Sequence, residues 1–243
     1  MNDPIFYIHI PRTSGTIFGN ILRCVNTYPI YYFVKEYLEN KNEILSNEYT
    51  LLCGHVPYSA TKTYEVNFRY ATILRNPIDR CLSHWKEVNS YLSIINSTLS
   101  LDQFIEHPIY KKLFNNYQSR YLGFFPDWTT IAGTNNAEHH LTFATMEMDI
   151  DDNTLYTNCI STLDKFEFIG IKEYFQESVL LAEKILKFSH YIPRKKRTDY
   201  SSYLSDDIVS FLKKSNEVDF EVYRYAVKKF WEMWHEYNWR SDS

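Results

Sequence analysis

The sequence predicts an α/β fold in which a central, mainly parallel sheet is covered on both faces by helices. Three observations lead there. Short apolar runs at 4–10, 49–53, 69–74 and 166–171 have the length and the β-branched or aromatic content of buried strands. Longer stretches with apolar residues at helical spacing lie between them, and strands that alternate with helices pair in parallel. The 243 residues are 44% hydrophobic and 17% aromatic, enough to bury a substantial core in one domain spanning 1–243.

Taken in order, the first strand ends at Pro11, and a helix follows from about Thr16 to Val25, with Ile17, Ile21 and Leu22 on one face. The stretch from Tyr31 to Leu45 reads as helical. The run Tyr49–Cys53 ends at Gly54, and Arg69–Leu74 ends in Arg75-Asn76-Pro77, where Pro77 suits the first turn of a helix. Residues 101–122 hold two helices broken at Pro108. From about 123 to 152 the chain is irregular, with Pro126, Gly133 and an Asn pair, and suits a substrate loop. Phe166–Ile171 leads into a helix from about Tyr174 to Phe188. The basic segment "IPRKKRTDY" follows, then C-terminal helices over about 204–239, whose Trp231, Trp234, Tyr237 and Trp239 are expected to pack on the sheet, the alternative being a carbohydrate platform.

The net charge of −4 argues against a general nucleic-acid binder, because grip on a phosphate backbone leaves a broadly basic surface. Any anion site must therefore be local. The four cysteines, Cys24, Cys53, Cys81 and Cys159, lie far apart and read as free thiols. No window approaches the roughly 18 to 20 apolar residues of a membrane span, and no signal-peptide pattern opens the chain, so a cytoplasmic protein without a membrane span is expected.

In parallel sheets ligands sit at the carboxyl ends of the strands. Three unusual motifs fall there. The turn Pro11–Thr16 directs backbone N–H groups and the positive end of a helix dipole at one spot, which suits a phosphate or sulfate. Gly15 allows close approach, Thr13, Ser14 and Thr16 offer hydroxyls, and Arg12 adds a planar permanent charge. A capped helix start has the same appearance. The turn is not a nucleoside-triphosphate P-loop, since GxxxxGK[ST] is absent. In the second motif, "RYATILRNPIDRCLSHWKE", Arg75 and Ser83 reach one phosphate if the helix runs back past the strand end, while Arg80 can pair with Asp79 or Glu87. The third is Gly54-His55, where the histidine is either a hydrogen-bonded structural group or a base. His9 reads as core, and His84 either faces the site or packs on its helix. His139-His140 lack a third metal ligand at suitable spacing, so no metal is expected.

Together these motifs resemble the sulfotransferases that use 3′-phosphoadenosine-5′-phosphosulfate (PAPS), particularly the branch containing the uronyl and heparan sulfate 2-O-sulfotransferases. "PRTSGT" is similar to that family's 5′-phosphosulfate loop, "LRNPIDRCLSHW" to its 3′-phosphate motif, and "CGHVPYS" to the segment carrying its catalytic histidine. "NYQSRYLGF", "FIGIKEYFQES" and the segment from Arg194 resemble further family stretches in the usual order. One departure stands out: the family usually carries lysine where this chain has Arg12.

The resemblance implies a P-loop-like three-layer fold and a transfer from PAPS that leaves adenosine 3′,5′-bisphosphate (PAP), without metal. His55 is then the base, and Arg12, Thr13, Ser14, Gly15 and Thr16 hold the phosphosulfate, with Arg12 stabilising the leaving group. Arg75 and Ser83 bind the 3′-phosphate, with help from Arg194 and Lys195. The implied acceptor is a hydroxyl on a glycan or small metabolite. Two other readings are a catalytically silent nucleotide- or glycan-binding protein of the same fold and an ATP-dependent kinase, the latter disfavoured by the missing GK[ST].

Overall fold

The computed structural model describes residues 3–25, 29–46, 49–128, 143, 146–187 and 204–239. Among them run five strands, β1 (Ile5–Ile8), β2 (Pro29–Phe33), β3 (Leu51–His55), β4 (Arg69–Leu74) and β5 (Phe166–Ile171). They form one sheet in the order β2-β3-β1-β4-β5, with every pairing parallel. The helices are α1 (Gly15–Val25), α2 (Val34–Glu39), α3 (Lys41–Ser46), α4 (Pro77–Leu92), α5 (Leu101–Glu106), α6 (Tyr117–Gly123), α7 (Asp152–Leu163), α8 (Phe175–Leu186), α9 (Asp206–Lys214) and α10 (Glu217–Trp239).

All four residues of β1 are buried, as expected of a strand covered on both faces. Adjacent side chains on a strand point to opposite faces, and Phe6 and Tyr7 mark the two layers. The Phe6 ring lies 5.5 Å from that of Tyr37 on α2 and 5.1 Å from Phe68. Tyr7 meets Phe18 of α1 at 5.1 Å, and Phe18 stacks on Phe168 of β5 at 5.4 Å. Helices therefore close both sides of the sheet.

One segment differs from the sequence expectation. The stretch expected to be one helix from Tyr31 begins as strand β2, which pairs along its whole length with β3, and then divides into α2 and α3 at Asn40. Ile30, Tyr31, Tyr32 and Phe33 are strand-favouring residues, and pairing with β3 fixes them as one. The region expected to be irregular, about 123–152, ends where α7 begins, with Asp151 as its N-cap and the Asp151 carboxylate accepting the Thr154 amide. Residues 129–142 and 144–145 of that region lie outside the described residues, as do Arg194 and Lys195.

Cys53, Cys81 and Cys159 are buried free thiols, and burial pushes Cys53 up to about 11. Among the described residues no helix is long and apolar enough to cross a membrane.

Candidate functional site

The strand order explains where the three motifs go. β1 occupies the centre, flanked by β3 on one side and β4 on the other, so the loops leaving all three carboxyl ends are neighbours. The chain crosses from one side of β1 to the other between β3 and β4, which is where ligands bind in open α/β sheets. The register sets the rest: Ile8 is level with Gly54 on β3 and with Thr72 on β4, which brings His55 beside His9.

The turn after β1 is wound tightly. Arg12 and Ser14 adopt left-handed backbone conformations with φ of 71° and 74°. Each costs a non-glycine residue on the order of 1 kcal/mol, a strain that tends to be stored at functional sites. The Ser14 carbonyl accepts from the Ile17 and Phe18 amides, which opens α1. Helix geometry leaves the amides ahead of those two without intrahelical acceptors and concentrates positive potential there. The hydroxyl of buried Thr13 turns inward and donates to the Ile10 carbonyl at 2.9 Å, so its proton braces the turn instead of facing outward.

Arg12 spans the gap from this turn to α4. Its Nε donates to Ser83 Oγ at 3.1 Å and its Nη1 to Glu87 Oε1 at 2.6 Å. Ser83 and Glu87 lie four residues apart on α4 and hence on one face, so a single guanidinium reaches both. Arg75, at the end of β4, donates from Nη1 to the Arg12 carbonyl at 3.0 Å. Arg12, Arg75 and Ser83 are thus one connected group. The sequence alternatives for Arg80 do not occur: it is fully buried, bonded to His84 Nδ1 at 3.1 Å and to the Leu113 carbonyl, and stacked on Tyr117 at 4.4 Å. Glu87 is used by Arg12 instead.

Further side chains, missed from sequence, hold this arrangement. Gln118 of α6 forms a two-bond clamp on the main chain of Arg75, accepting from its amide at 2.9 Å and donating to its carbonyl at 2.8 Å. Asn76 caps α4, its side chain accepting from the Ile78 and Asp79 amides, while its own amide donates to Glu173 at 3.1 Å. Gln118 and Glu173 lie within "NYQSRYLGF" and "FIGIKEYFQES", so a signal for both was present in the sequence. Glu87 carried none.

His55 closes β3 and is half-buried. Its Nδ1 lies 2.8 Å from the His9 carbonyl, and since a carbonyl only accepts, Nδ1 carries the proton. In the neutral ring Nε2 is then the basic nitrogen. The His9 ring sits 4.3 Å from that of His55. Burial, with repulsion from Arg12 and Arg23 and from His55 whenever that ring is protonated, holds His9 well below the usual histidine range, so it stays neutral. Beyond His55, the segment 57–63 is fastened to the start of the expected acceptor loop. The Tyr58 amide donates to the Tyr121 carbonyl at 2.9 Å, and Ser59 Oγ to the Phe124 carbonyl at 2.8 Å.

The donors gathered here are two arginines, hydroxyls and helix-start amides, with Glu87 the one carboxylate contacting Arg12 among the described residues. That set fits a ligand carrying two separate anionic groups. The family model described as "Sulfotransferase family" matches residues 1–226. A comparison with curated proteins finds no match.

Proposed function

The chain belongs to the sulfotransferase family, and on that premise we propose that it moves a sulfuryl group from PAPS to a hydroxyl of a carbohydrate or small metabolite. The observation that carries this reading is the linked group Arg75–Arg12–Ser83, which joins a phosphosulfate-type turn to a 3′-phosphate-type motif at one end of the sheet. The two anionic ends of PAPS match those two parts. The amides of Ser14, Gly15 and Thr16 and the guanidinium of Arg12 hold the 5′-phosphosulfate, and Arg75 and Ser83 hold the 3′-phosphate. Arg194 and Lys195 remain candidates for the same phosphate.

The reaction needs an acceptor aligned behind sulfur, a base, and positive charge on the departing phosphate. His55 Nε2 takes the proton of the acceptor hydroxyl as its oxygen bonds to sulfur. The bond between sulfur and the 5′-phosphate oxygen breaks with its electron pair on that oxygen, and PAP leaves. Arg12 and the loop amides meet the charge that gathers there. The His9 carbonyl keeps Nδ1 protonated and so supports Nε2 as the base. The similarity of the motifs to the uronyl and heparan sulfate 2-O branch favours a sugar hydroxyl.

The test compares PAP with ADP and ATP by thermal shift and then assays turnover of PAPS. A ligand that binds only the folded state raises its melting temperature. Stabilisation by PAP beyond ADP and ATP, followed by PAP release from PAPS with an acceptor, supports the proposal. Stabilisation by PAP without turnover of any acceptor identifies a silent binder instead, and preference for ATP with magnesium overturns both.

A further inference from the structure

We infer that Glu87 is a positioning residue that orders the guanidinium of Arg12 for its anionic ligand. The inference rests on the proposed PAPS reading for the ligand, though not for the geometry. Arg12 extends from a left-handed backbone position, φ 71°, which sends its side chain across to α4. A guanidinium is planar, and holding two of its nitrogens together with its covalent tether at Cδ fixes the plane. Nε is held by Ser83 Oγ and Nη1 by Glu87 Oε1. Nη2 has no partner among the described residues and is the nitrogen left to meet a ligand.

Ser83 alone cannot set the orientation, because one hydrogen bond leaves rotation about that contact. Glu87 supplies the second point, and its charge shortens the bond to 2.6 Å. The pair is partly withdrawn from water, with side-chain exposures of 35% for Arg12 and 29% for Glu87, so it is firmer than a fully exposed ion pair. A carboxylate beside an anion site weakens the attraction for the anion, and on charge alone Glu87 is unfavourable there. Its contribution is orientation, while Arg75 and the start of α1 supply attraction.

Orientation and charge are separated by two variants. Glu87→Gln keeps an acceptor oxygen and removes the charge, whereas Glu87→Ala removes both. Expected for Glu87→Ala is a loss of roughly 10- to 100-fold in kcat, with KM for PAPS within about 3-fold, because misplacing a group that acts in the transition state lowers kcat. Glu87→Gln is expected to retain kcat within about 3-fold and to bind PAP as tightly as the parent or more tightly. A purely structural role does not predict this split. A second measurement needs no turnover: the 15N-labelled arginine Nε–H signal of Arg12, assigned by its disappearance in Arg12→Lys, should broaden or exchange faster in Glu87→Ala and persist in Glu87→Gln. Equal kcat in Glu87→Ala and parent, equal impairment of the two variants, or an unchanged Arg12 signal in Glu87→Ala overturns the inference. If the parent protein turns over no PAPS, the proposed function fails, and the Arg12 signal still decides whether Glu87 orders the guanidinium.

Discussion

Arg75 Nη1 donates to the main-chain carbonyl of Arg12 at 3.0 Å, tying the end of β4 to the turn that follows β1. The side chain expected to read one phosphate therefore also braces the loop expected to cradle the other. Because Gln118 clamps both the amide and the carbonyl of Arg75, this brace is anchored in the core.

Arg75→Ala is expected to weaken PAP binding by about 2–4 kcal/mol, the usual cost of truncating one side of a hydrogen-bonded charge pair, or roughly 30- to 700-fold in Kd. It should also lower stability by about 1.5–3 kcal/mol through the lost bond to Arg12. Titration calorimetry with PAP and a melting curve read the two effects separately. Unchanged PAP affinity removes Arg75 from the site.

His55→Asn tests the base. The asparagine Nδ2 overlies the imidazole Nδ1 and can still donate to the His9 carbonyl, so the fold is preserved while Nε2 is gone. Turnover of PAPS should fall by roughly 100- to 10,000-fold, the usual contribution of a positioned base, with PAP affinity within about 3-fold. Near-normal turnover in a folded His55→Asn protein rejects the assignment.

Much of this site is legible in the sequence because its punctuation is chemical. Pro11 ends an apolar run, Gly15 opens a helix, and Pro77 follows Asn76 at the start of another, so the loops at the ends of β1 and β4 could be placed before their neighbours were known. β2 was not legible. Its Ile-Tyr-Tyr-Phe run suits a strand but passes into α2 without a breaker, and the boundary at Phe33 shows only in the pairing with β3. α7 is hard to read for a different reason: Leu155, Cys159, Thr162 and Leu163 are the buried positions of a largely polar helix. Glu87 reads as a local partner for Arg80 on its own helix until the fold brings it to Arg12, 75 residues away in sequence.

His9 gives the protein an acid-sensitive stability. Its pKa in the folded state lies well below the ordinary value of about 6.5 kept by the unfolded chain. Below pH of about 6.5 the unfolded state therefore binds a proton that the folded state does not, and stability falls as pH drops towards the folded pKa. His9→Gln should flatten the fall in stability as the pH drops below about 6.5. Denaturant unfolding across that range measures the slope, and identical slopes in the two proteins contradict the prediction.

The site depends finally on a buried carboxylate distant from it in sequence. Asp219, at the start of α10, accepts from the Gln118 amide at 3.1 Å, the Ser119 amide at 2.7 Å and the Ser119 hydroxyl at 2.6 Å. Those amides open α6, so Asp219 caps a helix 100 residues away. The exchange is mutual: Asn116, at φ 42°, makes no side-chain cap for its own helix and accepts the Asp219 amide at 3.2 Å instead. Asp219→Ala leaves two amides and a hydroxyl buried without their acceptor, at an expected cost of about 3–5 kcal/mol. Asp219→Asn keeps one acceptor oxygen but turns an NH2 towards N–H donors, and should cost about 2–3 kcal/mol. Because Gln118 is the residue whose amide is released and whose side chain clamps Arg75, PAP affinity should fall in both variants by less than in Arg75→Ala. Urea denaturation gives the stability change, and calorimetry of Asp219→Asn gives the affinity. A loss of stability below about 1 kcal/mol in Asp219→Ala excludes the capping role, because an unsatisfied buried donor alone costs that much.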